Sequence, residues 1–135
     1  MLLIALLVVA IAQTAAPPVT TVAQGANSGI SEASEVVVRS RVEWDALWKA
    51  HAGLQPIPAV DFSQELIAAV FLGTRRSGGF GAEIVGTRLE TAALVIEYRE
   101  RMPAAGDIVT QALTSPFHIV RAPRFDGPVR FRKIK

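Results

Sequence analysis

Leu66-Ile67-Ala68-Ala69-Val70-Phe71-Leu72, an unbroken apolar run, is the stretch whose reading decides the fold. A run this short that stops at a glycine reads as a strand buried on both faces, because a strand with one wet face alternates apolar and polar residues. Gly73-Thr74-Arg75-Arg76-Ser77-Gly78-Gly79-Phe80-Gly81 follows at once. Its glycines and adjacent arginines predict a loop that reverses the chain, with a second strand starting at Phe80. The rest of the chain is expected to pair with this strand–loop–strand unit or to pack on it.

Upstream, Glu35-Val36-Val37-Val38-Arg39-Ser40 is β-branched and reads as a strand. Ser40-Arg41-Val42-Glu43 then fits a capping box, in which serine and glutamate each satisfy an orphan amide. Trp44, Leu47, Trp48 and His51 recur on one helical face, and Gly53 is placed to end the helix. Two tryptophans on one stripe point to core, since the helix must cover a sheet and each indole buries a large area. His51 is read as a last-turn residue whose charged form suits the helix dipole, and not as a ligand. Leu54 to Ser63 carries prolines at 56 and 58 and reads as an extended connection, with Asp61 capping the next turn.

Downstream, Gly81–Leu89 and Thr91–Arg101 predict a hairpin. Phe80, Ala82 and Ile84 share the inner face with Leu94, Ile96 and Tyr98, and Glu83 looks outward within reach of Arg99 or Arg101. Met102–Asp107 reads as a loop, Val109–Leu113 as a short strand, and Phe117–Val120 as another. Val129–Ile134 closes the chain as an edge strand guarded by its charges. The expected fold is α+β: a twisted antiparallel β-sheet of about five or six strands. One helix, residues 41 to 52, packs on one face and sets Trp44 and Trp48 against 66–72.

The chain of 135 residues suits one domain, and its net charge is +2. Eleven arginines and three lysines face twelve acids with no clustered basic face, which argues against nucleic acid as a partner. No cysteine is present, which excludes disulfides, thiolate metal sites and thiol nucleophiles. Met1 to Ala12 is wholly apolar, and Gln13-Thr14-Ala15-Ala16-Pro17-Pro18 follows with small residues and a helix break. This reads as a signal peptide over 1–16, cleaved after Ala16, and places the protein in the periplasm or outside the cell. The competing reading is an uncleaved helical tether, although spanning a bilayer takes about 20 apolar residues. Without a cysteine after the cleavage site, no lipid anchor is expected. Residues 17–34 read as a flexible linker or a loosely attached first strand, ahead of a domain over 35–135.

Arg75, Arg76, Ser77, Gly78 and Gly79 form the candidate partner-binding site. Glycine amides beside two guanidiniums suit a carboxylate or other anion on a partner. The structural reading of the same loop is a hairpin whose glycines let the reversal close, and it is preferred on the residues alone. No Walker lysine follows, which argues against a nucleotide phosphate loop. Ser115 and His118 are the one Ser/His pair close in sequence, but that spacing on a strand turns them to opposite faces, and Ser115 before Pro116 suits a turn. Two histidines 67 positions apart have no metal-ligand spacing. No catalytic residue, metal or other cofactor is expected.

The ordered series Trp44-x-x-Leu47-Trp48, Pro58-x-x-Asp61-Phe62, the 66–72 strand, Gly73-Thr74-Arg75-x-Ser77-Gly78-Gly79-Phe80, Leu113 to Val120 and Pro128-Val129-x-Phe131 resembles the PrcB carboxy-terminal domain family. The likeness covers roughly residues 35 to 135. It implies an exported, non-catalytic interaction domain of the kind that assists assembly of a secreted protease. Relatives are often lipoproteins, and this chain departs from them in lacking the lipidation cysteine. The expected function is therefore that of an assembly partner or modulator of an extracytoplasmic protease. The alternatives are a periplasmic small-ligand binder, with a pocket on the concave face of the sheet, and a hydrolase built on Ser115 and His118.

Overall fold

The computed structural model describes residues 16–135. The signal peptide expected over 1–16 therefore lies, except for Ala16, outside the described residues. The elements run β1 (Thr20–Gly25), β2 (Ser34–Val38), α1 (Arg41–Ala52), β3 (Glu65–Phe71), β4 (Gly81–Glu90), β5 (Ala93–Arg101), β6 (Phe117–Pro123) and β7 (Val129–Lys133).

β3 sits inside the molecule because its residues from Leu66 onward are apolar at every position. Alternate side chains of a strand point to opposite faces, so both faces need cover. Ile67, Ala69 and Phe71 meet Trp44 and Trp48 of α1, with Val38, Phe117 and Ile119 completing that layer. Leu66, Ala68, Val70 and Leu72 face the other way, onto Ala82, Ile84, Leu94, Ile96 and Tyr98. The result is three layers: one helix, a four-stranded sheet in the order β1-β6-β3-β2, and a three-stranded sheet in the order β4-β5-β7.

The single antiparallel sheet of five or six strands is thus corrected to seven strands in two sheets. One helix covers only one face of β3, and the hairpin β4–β5 folds over the other instead of extending the same sheet. β7 also runs parallel to β5, pairing Leu94 with Val129 and Tyr98 with Lys133. Two corrections concern segments of weak pattern. Residues 17–34, expected as linker or loose strand, hold β1, which pairs with β6 from Thr20↔Arg121 to Gly25↔Phe117. Residues 109–113, expected as a short strand, form no strand. That segment leaves Leu113 largely in solvent, as is Ile108 just before it, and its Thr110 carbonyl takes the Gly78 amide of the glycine loop.

The helix starts where its sequence dictates, with one half of the expected capping box: the Glu43 carboxylate takes the Ser40 hydroxyl and not the Ser40 amide. Ser40 Oγ accepts the Glu43 amide and donates to the Glu43 carboxylate at 2.8 Å, and Gly53 ends α1 at φ 61°. Both indole N–H groups donate into the extended connection, Trp44 to Pro58 O at 2.9 Å and Trp48 to Gln55 O at 3.0 Å. The proline-rich segment therefore satisfies the donors that burying two tryptophans creates. Asp61 forms the expected turn, accepting the Ser63 amide at 3.0 Å. His51 departs from expectation. Its ring is buried among Trp48, Phe71 and Phe117, with Nδ1 2.7 Å from Ser28 Oγ. Burial pulls its pKa below the usual histidine value, so the neutral ring and not a dipole-stabilised cation is what the fold uses.

Candidate functional site: two interlocked loops at one end of the sandwich

The glycine loop leaves β3 at Gly73 and enters β4 at Gly81. It does not stand alone. The segment between β5 and β6, residues 102–116, folds against it. Arg75 and Thr114 exchange backbone bonds of 2.8 and 3.0 Å, an antiparallel bridge. Gly78 donates to Thr110 O at 2.8 Å, and Thr114 Oγ1 donates to Ser77 O at 2.9 Å. Gly79 adopts φ 89°, and a Cβ there would lie 2.8 Å from both Pro103 Cβ and Val109 Cγ1. Glycine is therefore demanded at 79 by backbone conformation and by close approach together. Each loop supplies the other's backbone partners, which gives this end a defined shape.

The five residues of the expected site separate into two roles. Arg75, a candidate for partner binding, is half-buried and committed. Its Nε donates to Glu100 at 2.7 Å, its Nη1 donates to Leu72 O at 3.0 Å, and its guanidinium lies over the Phe80 ring at 6.0 Å. Lys133 joins the same carboxylate at 3.2 Å. The Arg75 hydrogen bond, reinforced by the Lys133 bond and the charge of both cations, outweighs burial and holds the Glu100 carboxyl below its usual range. Arg75 is a bracket between the loop and β5, and it is not available to a partner. Ser77 turns inward, its hydroxyl donating to Gly78 O at 2.9 Å. Arg76 and Gly79 are exposed, and Arg76 makes no ion pair among the described residues.

The sequence places a loop at 102–107 but gives no sign that it belongs to the candidate site. Met102 is 71 % exposed, Leu113 71 % and Ile108 102 %, three large apolar side chains offered to solvent by the loop that is bonded to 73–81. Scattered exposed apolar residues are ordinary, but three on one loop that is itself bonded to the candidate site make that loop a candidate for contact. Their signal in the sequence was apolar residues inside a Gly/Pro-punctuated segment, which also fits a short strand.

Ser115 and His118 do not come together as a catalytic pair requires. Both ring nitrogens of His118 are engaged: Nδ1 accepts the Ile84 amide at 2.8 Å and Nε2 lies 2.9 Å from Thr21 Oγ1. Burial lowers its pKa, with Glu83 opposing in part. The ring is a strut between sheets. Among the described residues, no group of three or more His, Asp or Glu side chains is placed to hold a metal ion.

The PrcB C-terminal family model matches residues 66–123, from β3 through β6, including both interlocked loops. Over those residues the chain is similar to the PrcB C-terminal family. The matched PrcB segment lies inside the 35–135 span over which the motifs resemble the family, and leaves α1 and β7 outside it. No curated protein and no solved structure matches the chain.

Proposed function

We propose that this is an exported, non-catalytic protein-interaction domain that acts as an assembly partner or modulator of an extracytoplasmic protease. The observation that carries the proposal is the two-loop end. Met102, Ile108 and Leu113 are exposed on a loop tied by reciprocal backbone bonds to the loop that carries exposed Arg76. An apolar centre with an arginine at its margin is the composition of a protein contact. The family match supports the kind of role, and the apolar segment at the amino terminus of the sequence supports export. In this reading the partner-binding residues expected from sequence, Arg75 to Gly79, contribute Arg76 and Gly79 directly. Arg75, Ser77 and Gly78 hold the loop in shape.

The test is recovery of partners from the exported fraction on the immobilised domain, identified by mass spectrometry. Arg76→Glu combined with Ile108→Asp should abolish recovery of the specific partner and leave the thermal midpoint unchanged. Recovery equal to wild type from a folded double variant contradicts the proposal.

One observation favours the small-ligand reading as second choice. A groove of about 440 Å³ opens between β2, β5 and β7, lined in part by Glu35, Phe71, Tyr98 and Lys133. Its size suits a small molecule. Its polar groups are already paired, however, with Tyr98 OH donating to Glu35 at 2.6 Å and Lys133 held by Glu100. A ligand there must displace bonds that the protein already makes, which ranks this reading below the loop surface.

A further inference from the structure

Both histidines of the chain, His51 and His118, hold the same segment. That segment, residues 17–31, contains β1 and runs up to the start of β2. His118 of β6 is clasped between β1 and β4, with Nδ1 accepting the Ile84 amide and Nε2 2.9 Å from Thr21 Oγ1. His51, in the last turn of α1, meets Ser28 Oγ through Nδ1, and its backbone carbonyl accepts the Gly29 amide at 2.8 Å. Away from the β1–β6 ladder the other ties are also hydrogen bonds. Thr87 Oγ1 donates to Pro17 O, Gln24 Nε2 donates to Ala82 O, and Ser115 bonds Ala26 O and the Ser28 amide. No residue from 16 to 31 is buried. A segment that buries so little apolar surface is held mainly by its hydrogen bonds and belongs to the least stable part of a fold.

The two rings are unlike the segment they hold, since both are buried, His118 at 4 % and His51 at 8 % exposed. The Ile84 amide can only donate, so His118 keeps its place only while Nδ1 carries a lone pair. His51 stands among Trp48, Phe71 and Phe117, none of which carries a charge to offset a proton on the ring. The charged groups around His118 are few. β1 supplies none, and Val70 is its neighbour on β3. Glu83 of β4, next to Ile84, favours the cation but is itself paired with Arg101 at 2.7 Å. Glu35 of β2 lies beyond Val70 and takes the hydroxyl of Tyr98 from β5.

We infer that residues 17–31 form an acid-released strap: His118 and His51 take up protons by letting this segment go, while the rest of both sheets and α1 stay folded. In the released form both rings meet water and titrate at the ordinary histidine value of about 6.5. In the closed form burial holds both pKa values lower. The strap is therefore fully held above about pH 6.5, and opening grows as pH falls below it. One such histidine raises the opening equilibrium about tenfold between about pH 7.5 and 5.5, and two acting together raise it about a hundredfold. Release uncovers the edge of β6 that β1 caps, from Phe117 to Arg121, and an uncapped strand edge is open to pairing. The strap stands independently of the partner reading of the two-loop end.

The test is hydrogen exchange of the whole chain at about pH 7.5, 6.5 and 5.5, corrected for the pH dependence of the intrinsic rate. Protection over 18–30 should fall about ten- to hundredfold across that range, with protection over 66–71 and 93–101 retained. His118→Gln offers an acceptor to Ile84 and a donor to Thr21 and does not titrate. It should hold the strap and cut the pH dependence to the share of His51, about tenfold, and adding His51→Gln should remove that share. Ring-carbon NMR shifts of the wild-type histidines need no variant, and both rings should be neutral wherever 18–30 is protected. Unchanged protection over 18–30, or a loss shared equally by 66–71, overturns the inference. So does a folded His118→Gln with the full wild-type pH dependence, or a His118 ring that protonates while the strap stays protected.

Discussion

His118 of β6 accepts the amide of Ile84 of β4 at 2.8 Å, a side-chain bond that joins one sheet to the other. Nδ1 is the acceptor, so the proton of the neutral ring sits on Nε2 and is directed at Thr21 Oγ1, 2.9 Å away. Protonating Nδ1 would set two donors against each other in a buried site.

The first prediction is acid sensitivity in a defined window. Burial lowers the pKa of both His118 and His51 in the folded state. Between the unfolded histidine value, about 6.5, and the folded values, the unfolded chain binds more protons, so stability rises with pH there. The histidine contribution is complete above about pH 6.5 and is lost as pH falls below it toward the folded values. Urea denaturation at a series of pH values from about 7.5 to 5 should show the loss before most carboxylates titrate. His118→Leu should flatten that slope and lower stability by about 1–3 kcal/mol at neutral pH, through the stranded Ile84 amide.

The second prediction separates the two adjacent arginines. Arg75→Ala removes the bond to Glu100 and the bond to Leu72 O, and leaves Glu100 with Lys133 as its cation. A loss of about 1–2 kcal/mol is expected, discounted for the partial exposure of the pair. Arg76→Ala should change stability by no more than about 0.5 kcal/mol, as surface replacements do. Chemical denaturation of the two variants measures the contrast. Equal effects would mean that the bracket between the loop and β5 carries no stability.

A third expectation concerns the interlock. Gly79→Ala must adopt φ 89° and place a methyl 2.8 Å from Pro103 and Val109, so a cost of about 2–3 kcal/mol is expected. Gly106 has the same φ of 89° but open space around it. Gly106→Ala should cost only about 1 kcal/mol, the backbone part alone. Thermal midpoints of the two variants test whether the loops pack as described.

The hairpin turn offers a stabilising change. Thr91 and Ala92 join β4 to β5 with φ of 32° and 62°, a conformation that favours Asn-Gly. Thr91→Asn with Ala92→Gly should raise stability by about 1 kcal/mol. The reading is the midpoint of denaturation, and no gain would argue against strain at this turn.

Much of the architecture was legible because local signals agreed with tertiary need. The unbroken run at 66–72 demanded cover on both faces, and the capping box with Trp44 and Trp48 announced the helix that covers one of them. The β4–β5 faces were also readable, down to Glu83, which pairs with Arg101 at 2.7 Å. What covers the second face was not readable, since alternation tells which side of a hairpin is apolar and not which sheet it meets. β1 was obscured because Thr20 to Gly25 is small and polar and gains its place by pairing with β6. The candidate site was half legible. The glycine loop could be picked out by composition, but Glu100, which takes Arg75 out of play, lies 25 positions away. The loop that completes the surface carries no pattern beyond exposed apolar residues.

The central claim is that the two-loop end is where a protein partner sits. Site-specific photo-crosslinking in the native cell tests it most directly, with the reactive group placed at Ile108 and, as control, at Val42, another exposed apolar position on α1. The account predicts a discrete crosslinked partner from position 108, lost with Arg76→Glu, and none from position 42. A partner captured from Val42 and not from Ile108, or no crosslink at either, would contradict it.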